Sequence, residues 1–64
     1  GDFREQARSL VGELKQKGVT NVYLNGDDQT MDILRLTCIE VGLKISDLPD
    51  GCVLEFNGRG YQVR

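Results

Sequence analysis

Apolar residues recur at steps of three and four in the first quarter of the chain: Phe3, Ala7, Leu10, Val11 and Leu14. That spacing lines one face of an α-helix. Asp2 stands where an N-cap belongs, with Glu5 three residues later, so the pair approximates a capping box. Lys15 and Lys17 favour the negative end of the helix dipole, and Gly18 supplies a stop. A first helix is therefore predicted over residues 3–17. Gly12 inside it costs about 1 kcal/mol relative to alanine, and a close approach to a neighbouring element is the expected compensation.

Val19 to Leu24 is short, β-branched and aromatic, and it ends at the turn signal Asn25-Gly26. This reads as a strand, and its apolar run Val22-Tyr23-Leu24 suits partial cover on both faces. Asp27 or Asp28 then caps a second helix that runs to about Val41 and stops at Gly42. Met31, Leu34, Cys38 and Val41 form its core stripe. Ile33, Leu36 and Ile39 fall on the far side among Asp32, Arg35 and Glu40, beyond the apolar arc of about 100° that a surface helix needs.

Leu43-Lys44-Ile45 leads into a connection whose Pro49-Asp50-Gly51 ending has turn chemistry. Cys52, Leu54 and Phe56 alternate with Val53 and Glu55, and Tyr61 and Val63 alternate with Gln62 and Arg64. With Asn57-Gly58-Arg59-Gly60 between them, the two runs read as a β-hairpin. The order is α-β-α-β-β, without repeat or linker. A strand, helix and strand joined in this way form a right-handed crossover with parallel strands, and the hairpin adds an antiparallel neighbour. The predicted fold is an α+β two-layer sandwich, one domain over residues 1–64, with both helices on one face of a small mixed sheet.

The run Val22-Tyr23-Leu24-Asn25-Gly26-Asp27-Asp28, a helix carrying Ile33 and Cys38, then Gly42 and the closing Gly60-Tyr61-Gln62-Val63-Arg64 cover about two thirds of the chain. In these residues the layout resembles the small β-α-β-α-β-β domains of the TusA/SirA sulfur-carrier family. The resemblance implies a shape and a thiol- or sulfur-handling role. The family's sulfur-bearing cysteine sits in a Cys-Pro motif at the first strand-to-helix junction. Asp2-Phe3-Arg4 occupies that place here, so the transfer activity is not implied.

Sixty-four residues bury only about 60% of the surface their unfolded chain exposes. An enzyme-sized cavity of roughly 300 Å³ or more would consume much of such a core, which argues against catalysis. Eight basic and ten acidic residues give a net charge of −2, too little positive field to draw in phosphate backbones. The aromatic residues are Phe3, Tyr23, Phe56 and Tyr61, which make no ladder for stacking bases. No apolar run reaches the roughly 18 residues of a membrane span. The two cysteines, Cys38 and Cys52, are expected to be reduced, buried thiols in a cytoplasmic protein. A chain that begins Gly1-Asp2-Phe3 is expected to be processed or cut from a longer one, with an N-terminal element missing.

Candidate chemistry is sparse. Histidine is absent, which removes the usual neutral-pH base and the commonest zinc ligand. Asp27, Asp28 and Asp32 are an oxygen-rich group, but capping explains aspartates at a helix start and no calcium-loop spacing is present. The glycine-containing turns lack the endings that cradle phosphates. No metal or cofactor is therefore expected. Arg4, Arg8 and Lys15 fall within a narrow angle on the first helix and could contact nucleic acid, helped by Arg59 and Arg64 if the hairpin lies nearby. Ile33, Leu36 and Ile39, extended by Leu43, would form a contiguous apolar patch. The leading expectation is a non-enzymatic module that binds a protein partner or itself through that patch. Nucleic-acid binding and thiol chemistry at Cys38 or Cys52 are the alternatives.

Overall fold

In the computed structural model, which describes residues 2–64, Asp2 caps α1 (Phe3–Gln16) by accepting from the Arg4 N–H at 3.0 Å. The helix ends where Gly18 N–H donates to the Lys15 carbonyl and Val19 N–H to that of Leu14, the paired closing bonds of a Schellman motif. The chain continues through β1 (Asn21–Asn25), α2 (Asp28–Val41), β2 (Lys44–Ile45), β3 (Cys52–Phe56) and β4 (Tyr61–Val63).

The strands stand in the order β2-β1-β3-β4, with β1 parallel to β2 and β3, and β4 antiparallel to β3. This is the expected α+β sandwich with one more strand than the sequence pattern revealed. β2 has only two residues, too few to alternate visibly. It is defined by its pairing, Asn21 with Lys44 and Val22 with Ile45, extended by bonds from Lys44 N–H to Thr20 O and Ser46 N–H to Val22 O. Residues 46–51 then carry the chain from one side of β1 to the other, where Cys52 pairs with Val22.

Alternation along the strands decides which face is covered. Val22, Leu24 and Leu54 point to the helices and are buried, together with Ala7, Val11 and Leu14 of α1, Met31, Leu34 and Cys38 of α2, and Leu43. Asn21, Tyr23, Lys44, Val53, Glu55 and Gln62 alternate to the other face, where Gln62 donates to Glu55 at 2.9 Å. Tyr23 is thus half-buried across from Val53 on the uncovered side of the sheet.

Three rings fasten α1 to the hairpin. Phe3, Phe56 and Tyr61 meet edge-on or tilted, with centroids 5.2–6.2 Å apart, although Phe3 remains 41% exposed. Gly60 lies against the end of the Gln6 side chain, which would have to swing aside for a Cβ there. Gly12 departs from expectation. A Cβ added to it would meet nothing within 4 Å, so no close packing explains the glycine.

Candidate functional site

α2 is anchored at both ends, and the anchoring fixes which of its sides faces out. Asp27, rather than Asp28, is the N-cap. Its carboxylate accepts from Thr30 N–H at 2.6 Å. That backbone bond, aided by the Thr30 hydroxyl, holds the Asp27 carboxyl below its ordinary pKa. Asp28 and Asp32 both lie against Arg35, at 3.4 and 3.6 Å. The acidic group is therefore occupied by capping and ion pairing. Among the described residues, no three His, Cys, Asp or Glu side chains gather as metal ligands would.

At the other end Gly42 adopts a left-handed conformation, with φ of 96°, and its N–H and that of Leu43 donate to the Cys38 carbonyl. Lys15 reaches across from α1 to donate to the Val41 carbonyl at 2.6 Å. Lys15 thus neutralises the negative end of α2 rather than that of its own helix. Lys17 turns back to Glu13 at 3.7 Å.

With its ends held, α2 packs Met31, Leu34 and Cys38 inward. Thr37, also buried, sits towards α1 with its hydroxyl donating to the Ile33 carbonyl at 2.8 Å. Thr37 was not part of the expected core stripe. A threonine whose hydroxyl bonds one turn back can be buried like valine, and composition gives no sign of it.

The expected patch is only partly assembled. Leu36 is 57% and Ile39 63% exposed, and Ile33 is half-buried against the core. Leu43 does not belong to the patch: following the left-handed Gly42, it turns inward and is 5% exposed in the core. Beside Leu36 runs a shallow groove of about 360 Å³ between the helices, lined by Arg4 and Arg8 on one wall and by Asp32, Ile33, Leu36, Thr37 and Glu40 on the other. Among the described residues, no carboxylate approaches Arg4 or Arg8 within 4 Å, and no cation approaches Glu40 that closely.

The basic stripe expected for nucleic acid is not brought together. Lys15 is committed to Val41. Arg4 and Arg8 face α2, whereas Gly60 and its turn touch α1 on the opposite flank, through Gln6. Arg59 and Arg64 therefore do not extend the stripe. Comparison with protein-family models, curated proteins and solved structures finds no match.

The cysteines are free thiols. Cys38 is fully buried, and its pKa is pushed up to about 11, first by burial and then by nearby Cys52. The Cys38 thiol is therefore held in its protonated form at neutral pH, which disfavours it as a nucleophile. Cys52 is half-buried at the start of β3. A second depression, lined by Thr20, Asn21, Lys44, Ile45, Ser46 and Asp47, opens at the β2 edge. Its Ser46 hydroxyl is engaged with Leu48, and its Thr20 hydroxyl with Asn21.

Proposed function

We infer that the chain works without catalysis, as a protein-binding module that uses the outer side of α2 and the groove beside it. The observation that carries this reading is the exposure of Leu36 and Ile39 on an α2 whose inward Met31, Leu34 and Cys38 are fully buried, with Val41 of the expected stripe only partly so. Single exposed aliphatics are ordinary on a surface, whereas two one turn apart, with Leu36 bordering a groove that carries unpaired charges on both walls, form a surface suited to a partner. The chemistry asked of that partner is specific. It needs an aliphatic ridge to cover Leu36 and Ile39, and a carboxylate to answer Arg4 and Arg8.

Replacing Leu36 and Ile39 together by aspartate tests the reading. The double variant should lose no more than about 1 kcal/mol of unfolding free energy, because exposed positions contribute little to the fold, while association is abolished. A strictly monomeric parent whose double variant unfolds would make the patch part of the core and remove the reading. Nucleic-acid binding has less support, since the wall facing Arg4 and Arg8 carries Asp32 and Glu40, which repel phosphate.

A further inference from the structure

We propose that the groove is filled by α2 of a second copy of this chain, the two α2 helices lying antiparallel about a twofold axis at Leu36, with Glu40 of each copy set against Arg4 and Arg8 of the other. The proposal rests on the protein-binding reading above and names the partner.

The groove shows which way the helices run. Arg4 and Arg8 stand beside the Asp32–Glu40 stretch, and Lys15 stands beside Val41, so α1 and α2 point in the same direction. Around α2, at about 100° per residue, Leu36 is central, with Ile33 roughly 60° to one side and Ile39 roughly 60° to the other. Ile33 lines the groove, so its side is the α1 side. Glu40 lies about 40° from Leu36 towards that same side, and Asp32 about 40° towards the Ile39 side.

An antiparallel twofold that lies across both helices keeps each residue on its own side and exchanges levels along the axis. Glu40 of the second copy, one turn beyond Leu36, then arrives on the α1 side at the level of Asp32, where Arg4 and Arg8 are. Asp32 is on the other side, already held by Arg35 at 3.6 Å, so the two like charges do not face each other. A parallel arrangement would instead offer the arginines Asp32 and leave Glu40 without a cation. The same antiparallel placement stacks Leu36 on its symmetry mate and brings Ile33 and Ile39 of both copies around it. A basic wall beside exposed Leu36 calls for a carboxylate next to an aliphatic ridge, and α2 itself carries both. An interface that matches its own surface in this way is the isologous type of closed dimers.

Sedimentation equilibrium of the chain from about 10 µM to about 1 mM, at roughly 50 mM salt, reads the association directly. A dimer is expected, with Arg8→Glu and Glu40→Arg each weakening it about three- to tenfold. The combined Arg8→Glu/Glu40→Arg chain should recover the parent affinity, because it restores the pair with its signs exchanged. A monomer throughout that range overturns the proposal, as does failure of the combined chain to recover affinity when both single variants lose it. Neither result touches the broader reading, which is decided by the Leu36 and Ile39 double variant.

Discussion

Gly12 is a glycine in a helix interior with no neighbour that requires one. It lies in the middle of α1, where glycine loses more backbone freedom than alanine, yet space for a Cβ is open around it. Gly12→Ala should therefore stabilise the chain by about 1 kcal/mol, measured as an increase in urea midpoint at unchanged slope. A loss of stability would mean that the helix approaches a neighbour more closely than its contacts indicate. Helical spacing placed Gly12 within the helix, but nothing along the chain could report what stands opposite. The same holds for Thr37, a polar residue buried where α2 faces α1, and for Leu43, an apolar residue taken into the core after the left-handed Gly42.

Among the helices, α2 is the one whose C-terminal end is met by a side chain from another element. Its first turn is closed by its own Asp27, but its last is met by Lys15 of α1, bonded to Val41 O beside the left-handed Gly42. Lys15→Met keeps an aliphatic stem and removes the charge at the negative helix end, so a loss of roughly 0.3–1 kcal/mol is expected, shrinking as salt is raised. Thermal melts at low and high salt check both the loss and its screening. A salt-independent loss would assign the contribution of Lys15 to packing of its stem. The helices and the hairpin were legible because their periods and stop residues are local. β2 was not, because two residues become a strand only through Asn21 and Val22 of β1.

For the molecule as a whole, a radius of gyration of 10.4 Å compares with about 10.7 Å expected for a compact domain of 64 residues. The exposure of Leu36 and Ile39 is therefore not the result of a loosely packed chain. Among the described residues, no helix is long and apolar enough to cross a membrane. The enclosed core also sets an alkaline limit. Cys38 has a folded pKa of about 11 against 9.0 for an ordinary thiol, so the unfolded chain loses its proton first as pH rises. Stability from this group is complete below about pH 9 and declines as pH rises towards 11, with Tyr61, also shifted upward by burial, acting in the same direction. Urea midpoints between pH 8 and 11 should fall accordingly, and Cys38→Ala should flatten the slope. A midpoint constant across that range would contradict the burial of the thiol. Labelling gives the same test at neutral pH, since Cys38 should react with a thiol reagent only after unfolding.

By itself the sequence determined the two helices, the central strand, the hairpin and the sandwich they make, since each follows from apolar spacing and from capping or turn residues a few positions apart. It also determined that α2 carries more aliphatic side chain than one face can use. Only the tertiary structure decided which part of that excess stays outside: Leu43 is taken into the core, Ile33 is half covered, Leu36 is left beside Arg4 and Arg8, and Ile39 is left exposed on the side away from α1. The reason is physical. Periodicity specifies direction around a helix axis, but exposure depends on what the rest of the chain places in that direction.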